Sequence, residues 1–163
     1  MKTISINLDI NEIIYDIQNK TYLTGKSRKE GDNHEQVANM QANDDEENAN
    51  QVLRSISMAF SNLKMKLGEY LANDLSTADN VLLSARETLT ITLSMPSNFN
   101  SSAVETIAAA SHQYIVSIAV ADWYLITNKK DVPEYSALAE LSLKIISEAI
   151  CKRRRPVRPM PAE

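Results

Sequence analysis

The residues with the most distinctive chemistry are basic, and they lie near the C-terminal end of the chain. Lys152, Arg153, Arg154, Arg155 and Arg158 place five of the 17 basic residues within seven positions. Part of this charge suits a helix end, where cations meet the negative end of the dipole. Four consecutive charges followed by prolines exceed that need, and guanidinium groups suit planar contacts to carboxylates or phosphates. The segment therefore predicts an arm that contacts an acidic protein surface or DNA phosphates, with a solvated terminus as the alternative.

Other chemically active side chains are few, and their spacing matches no catalytic or metal-binding motif. The three glycines are too far apart for a phosphate-binding loop. His34 and His112 are widely separated, and neither belongs to a Glu-x-x-His pair or a zinc-binding pattern. Cys151 is the only cysteine, so an intrachain disulfide is impossible. We therefore expect no catalytic residue, no cofactor and no metal, and we expect that the protein is not an enzyme.

The aromatic pair Trp123 and Tyr124 interrupts the most apolar segment of the chain. Tryptophan and tyrosine dominate the energetics of many protein interfaces, which makes this pair a candidate partner-binding site. The alternative is core packing, with the indole N–H bonded to a neighbouring group.

Two segments alternate apolar and polar residues as strands do, at residues 3–9 and 88–95. A lone strand leaves its backbone groups unpaired. We therefore expect the second strand to pair with the first, or with a strand from another subunit. In the second case Leu89, Ile91 and Leu93 contact that partner.

The remaining elements are predicted to be helical, which gives a bundle of about four helices with a small β element. Asp9 is the expected cap of a first helix that stops at Gly25, and a polar loop follows over 26–44. Further helices are expected over 45–73, 102–128 and 132–152. The buried stripe of the last helix is predicted to comprise Tyr135, Leu138, Leu141, Ile145, Ile146 and Ala149.

Composition fits one globular domain, 1–152, followed by an extended tail rich in arginine and proline, 153–163. Hydrophobic residues make up 44% and charged residues 23% of 163 positions, which excludes wholesale disorder. The net charge of −4 argues against a general nucleic-acid binder. No uninterrupted apolar stretch is long enough for a signal peptide or a membrane span, so we expect a cytoplasmic protein without membrane contact.

The order of these elements resembles the head–tail connector proteins of tailed bacteriophages. The resemblance lies in the helix 45–73, the strand-bearing excursion 76–96, the helix pair that contains IAVADWYLITNKKDVPEYSALAELSLKIISEAI, and the extended tail. The N-terminal strand and helix and the loop after Gly25 depart from the usual connector pattern. The resemblance implies a virion subunit, made in the host cytoplasm, that forms a ring of about a dozen copies next to portal or tail proteins.

Two other functions are compatible with the same residues. One is a cytoplasmic helical adaptor or regulatory module that binds an acidic partner or nucleic acid through its basic tail. The other is an enzyme or ligand carrier with a pocket around Asp122 or His112, which would require perturbed ionisable groups there.

Overall fold

The computed structural model describes residues 1–72 and 77–157, and this part of the chain is mainly α-helical with one small sheet, as predicted. The elements in order are β1 (Lys2–Asp9), α1 (Ile10–Ser27), α2 (His34–Met40), α3 (Glu46–Lys66), β2 (Thr88–Met95), α4 (Val104–Thr127) and α5 (Val132–Ile150). Short 3-10 turns lie at Gly68–Tyr70 and Ser101–Ala103. The Asp9 side chain caps α1 by accepting from Asn11 N at 2.8 Å, which confirms the predicted N-cap.

Helix α4 forms the centre of the fold. It is apolar around most of its circumference, so it needs neighbours on several sides. Helices α1, α3 and α5 and strand β1 all pack against it. Half of its 24 residues are buried, among them Tyr114, Ile115 and Val120.

The two strands pair with each other in an antiparallel register that runs from Lys2 opposite Met95 to Asp9 opposite Thr88. Their inward side chains join the core. Leu89, Ile91 and Leu93 are at most 5% exposed. The alternative prediction that these three contact another subunit is therefore wrong, because this chain's own core covers them.

The predicted polar loop 26–44 is wrong in its middle, where the chain forms α2. Gly25 does not end α1, which continues to Ser27. Instead, a β-carbon at Gly25 would lie 2.9 Å from the carbonyl oxygen of Val37. The missing side chain therefore lets α2 lie directly against α1. Val37 and Met40 indicate this helix only weakly in the sequence, because none of its seven residues is buried.

Helix α3 ends earlier than the predicted boundary at 73, which itself lies outside the described residues. After α3 and the 3-10 turn, Leu71 lies beside Leu93 and Ala72 N donates to Thr92 O at 3.0 Å. The chain thus follows the free edge of β2 and satisfies part of its backbone.

An ion pair joins the end of α1 to the turn between α4 and α5. Arg28 Nη2 lies 2.6 Å from Asp131 Oδ1, and Asn128 Nδ2 donates to Asp131 Oδ2 at 2.7 Å. Asp131 directly precedes α5, but within the described chain its carboxylate makes no capping bond to that helix. Its charge is buried, and the guanidinium compensates it.

Because Leu93 is fully buried, Leu93→Ala is expected to lower the free energy of unfolding by about 2–5 kcal/mol. The exposed Leu125 gives the control, since Leu125→Ala is expected to change stability by less than about 0.5 kcal/mol. Urea denaturation followed by circular dichroism measures both. Unchanged stability in Leu93→Ala, with a changed mass in solution, would instead place β2 in an intermolecular sheet.

Candidate interaction surface

Helix α5 is rotated about its axis from its predicted orientation. Of the predicted buried stripe, Ile146 and Ala149 are buried and Tyr135 packs partly buried against the core. Three residues of the predicted buried stripe, Leu138, Leu141 and Ile145, are 42%, 54% and 39% exposed. They follow one another at spacings of three and four, so they form one row along the flank of the helix. The residues that face the core are mostly small and comprise Ala139, Ser142, Ile146, Ala149 and Ile150.

The size of the inward residues explains this orientation. Helices α4 and α5 form the most extensive contact between two elements, and α4 also buries small residues such as Ala110 and Ser117. Small side chains let two helix axes approach closely, whereas leucines at the same positions would hold them apart. The sequence held a signal for this, because apolar and small residues also recur at 139, 142, 146 and 149. Hydrophobicity alone, however, favours burial of Leu138, Leu141 and Ile145.

A shallow groove lies at the C-terminal end of the exposed row. It has a volume of about 340 Å³, and Ile145 lines it together with Thr106, Glu148 and Lys152. The exposed row, which we call the α5 row (Leu138, Leu141 and Ile145), therefore continues into a more polar surface with both signs of charge.

The basic segment, which begins at Lys152, starts next to this groove. Its first residues are hydrogen-bonded to the rest of the protein. Asn100 N donates to Lys152 O at 3.1 Å, and Arg154 N donates to Asn98 O at 2.8 Å. The Arg153 guanidinium donates to Ile150 O at 2.7 Å and so caps α5. Arg154 and Arg155 are exposed, and their side chains make no hydrogen bond or ion pair with another described residue.

This arrangement changes the predicted boundary between domain and tail. Residues 152–154 run along Asn98–Asn100, so the predicted tail 153–163 begins as part of the body. Arg158 lies outside the described residues. Lys2 Nζ donates to Ser101 Oγ, which adds a further cation at this end of the molecule.

The aromatic pair is not part of the exposed surface. Trp123 Nε1 donates to Met40 O at 2.8 Å, which holds the end of α2 on α4. Tyr124 is fully buried, and its ring meets that of Tyr135 edge-on at 5.5 Å. The prediction that Trp123 and Tyr124 bind a partner is therefore wrong, because contacts inside this chain cover both rings.

Two further polar features lie away from this surface. His112 Nε2 lies 2.7 Å from Asp16 Oδ2, an ion pair between α4 and α1 when the imidazole is protonated. A cleft of about 560 Å³ beside α2 is lined by residues of mixed charge, including Arg28, Glu30 and Lys130. Within 1–72 and 77–157, no group of three or more histidine, cysteine or acidic residues is placed to hold a metal ion.

In the same ranges, no helix combines the length and the apolar character that crossing a bilayer requires. No protein-family model matches the sequence, and the comparisons with curated proteins and with solved structures gave no match. The surfaces described above are therefore the structural basis for a functional proposal.

Burial raises the pKa of Tyr124 from 10.0 to about 12, and the Thr24 hydroxyl opposes part of this rise. Between these values the unfolded chain releases a phenolic proton that the folded chain retains. The stability that this tyrosine contributes is therefore present below pH 10 and is lost as the pH rises from about 10 to about 12.

We expect Tyr124→Phe to make the free energy of unfolding fall less steeply across this pH window. Urea denaturation at several pH values measures the slope. Tyr15→Phe, at an exposed tyrosine, should leave the slope unchanged. Equal slopes in the wild type and Tyr124→Phe would contradict the raised pKa.

Proposed function

We propose that this protein is a non-enzymatic structural subunit that assembles with copies of itself. The observation that carries the proposal is the α5 row, where Leu138, Leu141 and Ile145 are exposed side by side. Full burial of one such side chain is worth about 1.5–3 kcal/mol. Single exposed leucines are common, but a contiguous apolar row is typical of an interaction surface.

The charges around the row favour contact between two different surfaces. If two α5 helices packed antiparallel about Leu141, Glu134 of one copy would lie near Glu148 of the other. Lys130 would likewise lie near Lys152. Like charges at both positions disfavour this two-fold arrangement. A contact between unlike surfaces repeats from copy to copy, and it gives a ring when the rotation closes.

We further propose that the assembly is a head–tail connector ring in a phage or prophage particle, next to portal or tail proteins. The support is the resemblance in element order. The long helix α3, the excursion that contains β2, the helix pair α4 and α5 and the basic segment follow one another in that order. The subunit would be made in the host cytoplasm and would act in the virion without chemistry of its own.

A second candidate is an adaptor that binds nucleic acid or an acidic partner through the basic segment. The exposed guanidinium groups of Arg154 and Arg155 favour it. Against nucleic acid stands the net charge of the whole chain, which is −4.

Light scattering after size exclusion tests the self-assembly. We expect a discrete mass several times the 18.2 kDa of one chain. Leu141→Glu is expected to give a monomer, because a carboxylate in an apolar interface loses its hydration. Tyr15→Glu is the control, since Tyr15 is 63% exposed on α1, about 20 Å along the helix from the end that contacts the turn between α4 and α5, and it should leave the mass unchanged. A strict monomer at every wild-type concentration would count against the proposal.

Titration of fluorescent duplex DNA at several salt concentrations tests the second candidate. We expect no measurable affinity at physiological salt. If DNA did bind through the segment, Arg154→Gln/Arg155→Gln would reduce the slope of log affinity against log salt by about 2. Substitution is preferable to truncation, because residues 152–154 pair with Asn98–Asn100. Lys129→Gln/Lys130→Gln is the control with the same loss of charge.

A further inference from the structure

Two exposed methionines lie on one face of α3, with the polar residues Ser61 and Asn62 between them. Met58 and Met65 are 57% and 70% exposed, and their spacing of seven positions puts them on one face, two turns apart. Methionine side chains are flexible, and they adapt to the shape of a partner surface.

The start of α3 is strongly acidic. Asp44, Asp45, Glu46 and Glu47 are all exposed. Asp44 accepts from Gln18 at 2.5 Å and Asp45 from Asn43 at 2.7 Å, but no cation pairs with any of the four among the described residues. Four adjacent carboxylates exceed what one helix dipole compensates.

The acidic start of α3 and the basic segment are at different ends of the molecule. Helix α3 is about 30 Å long, and the chain that follows it lies beside Leu93 of β2. The continuation of β2, at Asn98, holds Arg154. The acidic start of α3 lies a helix length away from Arg154. The two charged segments can therefore contact each other only between two molecules.

The charge distribution supports such a contact. Lys152 and the four arginines after it, with Glu163, give the segment 152–163 a charge of +4. The chain has 17 basic and 21 acidic residues, so the rest of the chain contains 12 basic and 20 acidic residues and has a charge of −8. Opposite charges at separate places favour a contact between unlike surfaces.

The spacings of the two helices also match. Leu138 and Ile145 are seven positions apart, as are Met58 and Met65. In an antiparallel pair, Met58 can thus face Ile145 while Met65 faces Leu138. From Met58 back to Asp45, α3 covers about 20 Å. From Ile145 on to Arg154, six residues at the helical rise, up to Cys151, and three extended ones also cover about 20 Å of chain. In this pair, the carboxylates at the start of α3 in one copy would therefore lie beside Arg154 and Arg155 of the other copy.

We propose that the α5 row of one copy packs antiparallel on the Met58–Met65 face of α3 in a second copy, with Arg154 and Arg155 on its acidic start. This contact rests on the proposed self-assembly and specifies which surfaces form it. The antiparallel orientation also sets the positive end of one helix dipole beside the negative end of the other.

Two charge-reversal variants test the contact by light scattering. One is Arg154→Glu/Arg155→Glu and the other is Asp45→Arg/Glu46→Arg. Each alone is expected to associate at least about tenfold more weakly than the wild type, because like charges then face each other. An equimolar mixture is expected to assemble again, since each reversed surface meets its opposite. Circular dichroism checks that both variants are folded.

The control is Lys129→Glu/Lys130→Glu, which makes the same change in net charge at the turn between α4 and α5 and should assemble like the wild type. Normal assembly of either reversed variant alone, or a mixture that stays dissociated, would overturn the contact while self-assembly stands. A monomeric wild type would overturn both proposals.

Discussion

Close packing between α4 and α5 is the constraint on which the candidate surface depends. The two helices approach each other through small residues such as Ala139 and Ser142. With 3.6 residues per turn, burying these residues places Leu138, Leu141 and Ile145 on the flank of the helix, about 100° from the inward face. The exposed apolar row is thus a consequence of how the core is built. Turning the helix to bury this row would place larger side chains where Ala139 and Ser142 now lie.

A second set of contacts fixes the N-terminal half on this helix pair. Gly25 lets α2 lie against α1, and the Trp123 indole binds the last carbonyl of α2. Arg28 reaches the buried carboxylate of Asp131 at the turn between α4 and α5. These three contacts lie far apart in sequence but hold α1, α2, α4 and α5 together. They explain why the polar segment after α1 is ordered and contains the short helix α2.

Charge and apolar surface are distributed in a way that suits an assembling subunit. The core covers Trp123, Tyr124 and the inward side chains of the sheet, so these are not available to a partner of the folded chain. The α5 row, the Met58–Met65 face of α3, and Arg154 and Arg155 remain exposed. An acidic body with a basic segment at one end has complementary surfaces that a single copy leaves apart.

Local patterns in the sequence determined most of the elements. The strands over 3–9 and 88–95 follow from period-two alternation, and the apolar helix that starts near Val104 follows from its composition, because both signals are contained in neighbouring residues. The basic segment was likewise visible as composition. Tertiary structure alone decided which face of α5 is inward, why Gly25 lacks a side chain, and what Trp123 contacts. Each of these depends on the size and position of a neighbour distant in sequence, and the periodicity of one segment carries no information about the element that packs against it.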